Sequence, residues 1–383
     1  MGELMVSRAG SVDPSKFADE TFDLYSIPAF DSRQPKIIDG REIGSTKQVV
    51  CTGDVLLSKI VPHIRRSWVV GASRGRRLIA SGEWIVFRDP RVEPAYLCHV
   101  VIGDPFHSQF MQTVSGVGGS LLRARPAHVA KIEIPLPPLA EQRRIAAILD
   151  QAETLRTQRR AAIAQLDSLG LAIFLEMFGD LELKAMRWPV ECFQKTLAMP
   201  LHNGLSPSKS GKVVAKVLTL SAVTGAAFDA TAWKESTFET TPPGQKAVDA
   251  RDFLICRGNG NLNLVGRGKF PPASMANTTF PDTMIAARVD PSRVERGYLQ
   301  FVWHSIFLRR QVESAARTTN GTFKVNQTML EEMRIPLPPI ELQRKFGRFN
   351  QSIERLRADH QAALSRLDEL FASLQHRAFR GEL

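Results

Sequence analysis

The feature that most constrains the fold is an internal repeat. Residues 134–143 read IPLPPLAEQR, and residues 335–344 read IPLPPIELQR. The offset of 201 residues holds without a gap over 134–178 and 335–379, where 16 of 45 positions are identical. A repeat of this kind indicates an architecture built from similar units. The order is A–helix–A′–helix′, with segment A over about 1–131 and A′ over about 181–333.

The segments between the repeats also match, more weakly. Residues 54–59 read DVLLSK and residues 252–257 read DFLICR, at an offset of 198. An Asp-Pro pair at Asp89 and Asp290 is followed in both copies by Tyr-Leu, at Tyr96 and Tyr298. Short β-rich runs punctuated by Gly, Pro, Asn and Ser predict that A and A′ are mixed α/β domains.

The repeated segments predict two long helices. Apolar residues recur at alternating spacings of three and four, from Ile145 to Ile173 and from Phe346 to Leu374, which is a heptad pattern. One polar residue interrupts each pattern at the same place, Arg159 in the first and His360 in the second. About 40 residues at 1.5 Å each give a rod of roughly 60 Å. The predicted fold class is α+β, with domains over 1–131 and 181–333 and helical segments over 132–180 and 334–383.

The charge distribution points to an anionic partner. Lys plus Arg number 50 against 39 Asp plus Glu, a net charge of +11. Segment A carries +4 and A′ +6, while the helical segments carry −2 and +3. The densest basic run, 59–77, contains no acidic residue. A solvated basic face explains one such run, but two similar positive domains favour nucleic acid.

Several classes of protein are excluded or disfavoured by what the sequence lacks. Apolar residues at 43% and charged residues at 23% are ordinary for a globular chain. No stretch approaches 18 uninterrupted apolar residues, so no membrane span is expected. The four cysteines form no CxxC or zinc pattern, so no metal is predicted. No phosphate-binding loop, dinucleotide fingerprint or HExxH motif occurs. We therefore expect binding rather than bond-making.

The motif IPLPPLAEQR and its second copy, with the tails QLDSL and RLDEL and the following Trp188-Pro189, resemble the specificity (S) subunit of type I restriction–modification systems. The resemblance covers nearly the whole chain. It implies two target-recognition domains alternating with two conserved helices that pair as an antiparallel coiled coil, giving a pseudo-two-fold repeat.

The resemblance also implies a function and partners. Such a subunit has no catalytic site, works in the cytoplasm, and binds double-stranded DNA through one half of a bipartite, asymmetric target per domain. It recruits modification (adenine methyltransferase) subunits, two in number, and restriction (motor–nuclease) subunits. S-adenosylmethionine, ATP and Mg are expected on those partners, with no cofactor on this chain. The outward helix residues Arg144, Arg156, Arg160, Arg344, Arg348 and Arg357 are candidates for docking, or form a solvated face.

The candidate DNA contacts are cations and amides on corresponding loops, since Lys and Arg hold phosphates and Asn suits adenine edges. In the first domain they are Lys59, Arg65, Arg66, Arg74, Arg76, Arg77, Arg123 and Arg125. In the second they are Asn203, Ser208, Lys209, Lys212, Arg257, Asn259, Asn261, Asn263, Arg267, Lys269, Asn320, Lys324 and Asn326. The alternative is that many are turn residues, because Asn favours turns.

The polar interruptions predict the register of the helices. If the two helices pair antiparallel about a pseudo-two-fold axis, Arg159 and His360 meet in the middle of an apolar seam. A polar layer costs stability but fixes register. In the alternative, both side chains lie at the edge of the seam and extend outward to water.

One departure concerns the first domain. Trp188 precedes Asp252 by 64 residues, and the same count back from Asp54 falls before Met1. The first recognition domain is therefore expected to lack the opening Trp-containing element. Either the domain is circularly arranged and its pairing is supplied from elsewhere, or the sequence as given starts late and this domain is incomplete.

Two other classes of function stay open from the sequence. One is an enzyme that binds and modifies DNA alone, which methyl-transfer or cleavage by the purified chain would reveal. The other is a coiled-coil scaffold, which would show no salt-dependent binding of duplex DNA.

Overall fold

The chain folds into two compact units, each made of a mixed α/β domain and half of each long helix. The computed structural model describes residues 1–6, 10–116, 122–181, 188–319 and 321–383. The first unit comprises Met1–Ala161 and Gln361–Leu383, and the second comprises Ala162–His360. The boundary between the units cuts both long helices near their middles. The sequence analysis, in contrast, predicted each long helix as a separate segment.

The first unit contains ten described strands and three short helices before the first long helix. The strands are β1 (Ser11–Val12), β2 (Thr21–Tyr25), β3 (Lys36–Asp39), β4 (Lys47–Val49), β5 (Val55–Ser58), β6 (Ser67–Val69), β7 (Arg77–Ala80), β8 (Trp84–Phe87), β9 (Val114–Ser115) and β10 (Arg123–Ala124). The helices are α1 (Pro94–Ile102), α2 (Asp104–Gln112), α3 (Pro126–Val129) and α4 (Leu139–Phe178). The main sheets have the orders β1-β4-β7-β2-β3 and β6-β5-β8, and β9 pairs with β10.

The second unit repeats this plan with thirteen described strands. They are β11 (Val190–Cys192), β12 (His202–Asn203), β13 (Val213–Leu218), β14 (Trp233–Phe238), β15 (Ala247–Val248), β16 (Asp252–Cys256), β17 (Gly258–Asn259), β18 (Gly268–Lys269), β19 (Met275–Thr279), β20 (Met284–Arg288), β21 (Arg317–Thr319), β22 (Thr322–Lys324) and β23 (Arg334–Pro336). The helices are α5 (Ser221–Thr224), α6 (Arg296–Trp303), α7 (Ile306–Ala315), α8 (Gln327–Glu331) and α9 (Ile340–Ala378). The sheet orders are β14-β13-β19-β15, β12-β20-β16-β18, β17-β22-β21 and β11-β23.

An equivalent pair of a buried aspartate with an arginine links two central antiparallel strands in each unit, β5 with β8 and β16 with β20. Asp54 is 0% exposed and accepts two hydrogen bonds from Arg88, which follows β8. Asp252 is 1% exposed and accepts two from Arg288, at the end of β20. A buried carboxylate needs such a partner because burying it unpaired would be costly. These pairs explain why the aspartate recurs at the start of both sequence copies.

A buried glutamine joins each domain to its long helix. Gln142 is 1% exposed; its amide donates to the carbonyls of Arg91 and Pro137, and its oxygen accepts from the Glu93 amide. Gln343 is 0% exposed and bonds in the same way to Arg293, Pro338 and Glu295. The repeated Pro-Pro-x-x-x-Gln spacing therefore lets one side chain form hydrogen bonds with backbone groups of the turn before the long helix and of the loop before α1 or α6.

Within each unit, the half-helices pair antiparallel through the same ion pair. In the first unit, Arg156 of α4 lies 2.6 Å from Asp368 of α9 and is only 17% exposed. In the second, Arg357 of α9 lies 3.1 Å from Asp167 of α4. Both arginine–aspartate pairs obey the repeat offset of 201 residues. The antiparallel pairing predicted for the helices is thus present inside each unit.

The buried face of the helices is narrower than the heptad pattern predicted. Four leucines of the predicted seam are about half exposed: Leu155 at 43%, Leu169 at 46%, Leu356 at 50% and Leu370 at 49%. The residues that directly follow two of these leucines, Arg156 after Leu155 and Phe371 after Leu370, lie on the inner face instead. Phe371 is only 8% exposed, and the Arg156 side chain is 17% exposed. The predicted seam is therefore wrong at these four positions.

Helix α4 also contains a stretch of high mean hydropathy, which is not detected by counting uninterrupted apolar residues. An 18-residue window reaches a mean hydropathy of 1.5, which by length and composition alone would suffice to cross a membrane. One such helix is weak evidence for a span. Both halves of α4 pack inside the units, through Ile145 and Leu149 in the first and Phe174 and Phe178 in the second.

Removing the interhelical arginine should destabilise the first unit. We expect Arg156→Ala to lower the free energy of unfolding by about 1–2 kcal/mol, because the guanidinium is partly buried, pairs with Asp368 and lies 4.3 Å over the Phe371 ring. Urea denaturation measures this. The exposed Arg355→Ala on α9 is the matched control and should change stability by less than about 0.5 kcal/mol. Equal effects of the two variants would contradict the assignment.

Candidate nucleic-acid interface

In the first unit, two basic segments far apart in sequence lie side by side. The loop after β5 runs along the strand β10. Ile60 and Arg123 form an antiparallel bridge, and the Ala124 amide donates to the Lys59 carbonyl at 2.8 Å. This brings together the predicted contacts Lys59, Arg123 and Arg125. We call residues 59–66 and 122–125 the first basic loop pair.

The second unit brings together the equivalent segments. Gly258 of β17 pairs with Lys324 of β22, and the Val325 amide donates to the Arg257 carbonyl at 2.9 Å. Residues 257–267 and 321–326 form the second basic loop pair. By the repeat offsets, Lys59 corresponds to Arg257 and Arg123 to Lys324. The same two backbone contacts therefore place cations at the same point of both units.

Most of the arginines in the run 59–77 are paired with acids from elsewhere in the chain. Arg65 lies 2.6 Å from Asp104. Arg76 lies 2.7 Å from Asp23, which is buried, and Arg77 pairs with Glu20 while its guanidinium lies 4.2 Å over the Phe17 ring. Arg76 and Arg77 thus stabilise the sheet of the first unit. The run is not one continuous basic patch, because Arg74 and Arg76 lie in the loop between β6 and β7 and Arg77 begins β7, apart from the first basic loop pair.

Arg66 is placed differently again. Its Nε and Nη1 atoms are buried without a hydrogen-bond partner among the described residues. It is half-buried next to β6, so its guanidinium is not simply presented to solvent.

Several predicted contacts in the second unit have structural roles. Asn259 and Asn261 accept hydrogen bonds from backbone amides two residues on, as Asx turns do. Arg267 donates to the carbonyls of Asn263 and Thr224. Asn326 caps α8 by accepting from the Met329 amide at 2.8 Å. The alternative of turn residues therefore holds for part of the set.

Asn203 and the loop before β13 complete the predicted set. The Asn203 side chain accepts from Gln327, so it lies near the second basic loop pair. Ser208 lies in a separate loop with Lys209 and Lys212, whose side chains are both exposed. Asn320 lies outside the described residues.

Lys269 is the clearest departure from the prediction. It is only 9% exposed and lines a groove beside α9. Its placement does not support a contact with DNA, because the long side chain is enclosed by the second unit. Sequence reasoning missed this burial, since Lys269 follows a glycine-rich loop of the kind that is usually exposed.

Sequence reasoning missed a second polar surface on the first unit. A cavity of about 500 Å³ is lined by Arg33, Gln34, Arg74 and Arg76, with Tyr25 and Trp68 at its base. Arg33 lies 4.0 Å over the Phe30 ring. No sequence pattern joins residues 33 and 34 to residues 74 and 76, since only the fold brings these loops together.

Arg159 and His360 belong to different units. Arg159 is exposed and His360 is half-buried, and their meeting in the seam stays a prediction. Among the described residues, no group of three His, Cys, Asp or Glu side chains could hold a metal ion.

Comparison with known proteins agrees with this architecture. Residues 79–165 match the family model of the type I restriction modification DNA specificity domain. The EcoKI specificity subunit of Escherichia coli (strain K12), a type I restriction enzyme component, is 26% identical over 285 residues, which cover 70% of this chain and 61% of that protein. The StySPI specificity subunit of Salmonella potsdam is 22% identical, over 99% of this chain and 82% of that protein.

Over nearly its whole length the chain is similar to type I specificity subunits. The first of these matches spans less than two thirds of the relative's length. A solved type I S subunit from M. genitalium shares the fold, with a TM-score of 0.56 at 12% identity over 99% of this chain and 91% of that one. A second type I structure gives a TM-score of 0.55 at 22% identity, over 100% and 97% of the two chains.

The matched region has a clear place in this chain. It runs from β7 through the first basic loop pair's strand β10 and the Gln142 joint into α4. The internal repeat carries the same features in the second unit, from the Asp252–Arg288 pair to Gln343.

Substitutions at Asn326 can separate its capping role from a DNA contact. Asn326→Ala should cost about 1 kcal/mol of unfolding free energy because the cap is lost. Asn326→Asp keeps the cap but adds a negative charge, so it should retain stability and weaken DNA binding. Urea denaturation and fluorescence anisotropy on duplex DNA measure the two effects. Unchanged DNA affinity in Asn326→Asp would show that Asn326 only caps the helix.

Proposed function

We propose that each basic loop pair docks one recognition domain on DNA, so that the chain reads a bipartite, asymmetric target. The observation that carries the proposal is the equivalence of the two loop pairs. Each has one segment that follows a central strand, β5 or β16, hydrogen-bonded to one strand near the end of the domain. Cations at corresponding positions suit phosphates, which fix the register of a protein on the duplex.

The two loop pairs differ in the residues that could read bases. Arg125 of the first corresponds to Asn326 of the second, and each precedes a short helix, α3 or α8. Arginine suits guanine and asparagine suits adenine in the major groove. Such differences support two different half-sites and hence an asymmetric target.

The helices would set the spacing between the half-sites. Each spans about 40 residues, or roughly 60 Å, which corresponds to about 18 base pairs of 3.4 Å each and exceeds one helical turn of DNA. In this proposal Arg159 and His360 fix the register.

The chemistry would lie on partner subunits. We propose that this chain has no active site of its own and acts in the cytoplasm. Adenine methylation would need S-adenosylmethionine on modification subunits, and cleavage would need ATP and Mg on motor–nuclease subunits.

Exposed leucines mark a docking face for the modification subunits. Leu155 and Leu370 lie beside the Arg156–Asp368 ion pair in the first unit, and Leu169 and Leu356 lie beside the Arg357–Asp167 pair in the second. All four are about half exposed. An apolar position repeated by the internal symmetry supports two equivalent partners. Two of the arginines predicted for docking, Arg156 and Arg357, form ion pairs between the helices instead.

Charge reversal in either loop pair should weaken DNA binding. We expect two double variants to bind DNA more weakly: Lys59→Glu with Arg123→Glu, and Arg257→Glu with Lys324→Glu. In each, the slope of log affinity against log salt concentration should become shallower by about 2, since each lost phosphate contact reduces that slope by about 0.9. Anisotropy with duplex DNA at several salt concentrations measures both quantities. The exposed Lys16→Glu and Lys195→Glu are controls and should behave as wild type. A wild-type slope in both double variants would refute the interface.

Charged substitutions on the leucine face should reduce partner stoichiometry. Leu155→Glu with Leu370→Glu should remove one modification subunit, because burying two carboxylates at an apolar contact is costly. Leu169→Glu with Leu356→Glu should remove the other. Native mass spectrometry of the co-expressed complex counts the subunits. Ending the chain after Leu330 removes α9 and should abolish assembly; a normal complex from that truncation would contradict the proposal.

The proposed register is testable by cross-linking. Arg159→Cys with His360→Cys should form a disulfide in the folded chain if the two positions meet, because a bond needs Cα atoms within about 7 Å. Arg159→Cys with Asp359→Cys changes the facing position and serves as the control. Non-reducing electrophoresis with mass mapping identifies the bond. Equal or absent cross-linking in both variants would reject this register.

A further inference from the structure

One groove in the second unit combines apolar walls with a single lysine ammonium group. It encloses about 530 Å³ and lies between α4, α6, α7 and α9. Its apolar walls are formed by Leu166, Leu171, Phe174, Leu175, Phe301 and Ile353. Lys269 lines the same groove. The volume is within the range of small-molecule sites.

The Lys269 ammonium has no close partner in the part of the chain that the structure describes. The residue is 9% exposed, yet no described carboxylate lies within ion-pair distance of it and no described oxygen accepts a hydrogen bond from it. Burial lowers the pKa of Lys269, and the Glu354 carboxylate opposes this only from beyond contact distance. A largely buried lysine whose ammonium reaches the groove without a close partner there is complementary to an anionic group bound in the groove.

The first unit shows what a filled groove looks like. Gly170, which borders the groove, corresponds to Phe371 at the repeat offset of 201. The Phe371 ring is 8% exposed, lies under Arg156 at 4.3 Å and packs 6.2 Å from the His99 ring. His99 in turn corresponds to Phe301. Phe371 therefore fills in the first unit the place that Gly170 leaves open in the second, whereas both units share the leucine face.

The rim of the groove limits the charge of a ligand. Asp167 and Glu354 both border it. Arg357 is engaged by these two carboxylates, at 3.1 and 3.7 Å. A ligand with several negative charges, such as a nucleotide or a DNA backbone, would meet repulsion there, whereas a single carboxylate could reach Lys269.

We propose that this groove binds a small amphipathic monocarboxylate, with its apolar body against Leu171, Phe174 and Phe301 and its carboxylate on Lys269. The site is separate from the basic loop pairs and from the leucine face, so it stands whether or not the proposed function is correct.

Decanoate is a suitable probe, with the uncharged decanol as its matched control. Calorimetry on the full chain should show saturable 1:1 binding of decanoate. Lys269→Met should weaken it about tenfold or more, since a hydrogen bond to a charged group contributes about 1.5–3 kcal/mol. Decanol should bind equally to wild type and to Lys269→Met.

Gly170→Phe tests the groove without altering the charge. The added Cβ would lie 3.8 Å from Phe301 and 4.0 Å from Ile353, so the backbone has room for a side chain, and the ring would then fill the groove as Phe371 does in the first unit. Binding should be lost while thermal unfolding stays cooperative. Absence of decanoate binding to wild type, or equal binding to wild type and both variants, would overturn the proposal, the latter showing non-specific detergent-like association.

Discussion

A buried glutamine at the foot of each long helix is the contact on which the architecture depends. Gln142 and Gln343 each tie three backbone groups together, one at the Pro-Pro turn before the helix and two at the loop that precedes α1 or α6. A fully satisfied buried amide fixes one geometry, because losing any partner would leave a polar group unpaired. The domain and the first turn of its helix are thereby held as one body in each unit. Without this joint, a helix could not carry positional information from a domain.

Two ion pairs fix the pairing of the helices further along their length. Arg156–Asp368 and Arg357–Asp167 link α4 with α9 in the two units, and the inner face beside them is apolar. Because both pairs obey the repeat offset, one interaction specifies the antiparallel pairing twice. The leucines next to these ion pairs lie on the surface, because the arginines and Phe371 occupy the inner positions that the heptad pattern had assigned to leucine.

The sequence predicted the parts of the fold that depend on local pattern. The two helices, their starts after Pro-Pro and the duplication were all visible in spacing and identity. The binding surface was harder, because its composition depends on contacts distant in sequence. The run 59–77 contains no acid, yet Asp23, Glu20 and Asp104 reach its arginines from other elements. Lys269 looked like a loop cation and is enclosed by the second unit. By contrast, Lys59 with Arg123 and Arg257 with Lys324 were predicted, although their proximity follows only from strand pairing.

In the proposed function, two non-identical domains read two separate half-sites. Single-molecule sequencing of methylated adenines tests it most directly, in cells that express the chain with its modification subunits. The account predicts one bipartite motif, with two different specified halves separated by a gap of fixed length and unspecified sequence. A single continuous motif, or a motif whose gap varies between sites, would contradict it.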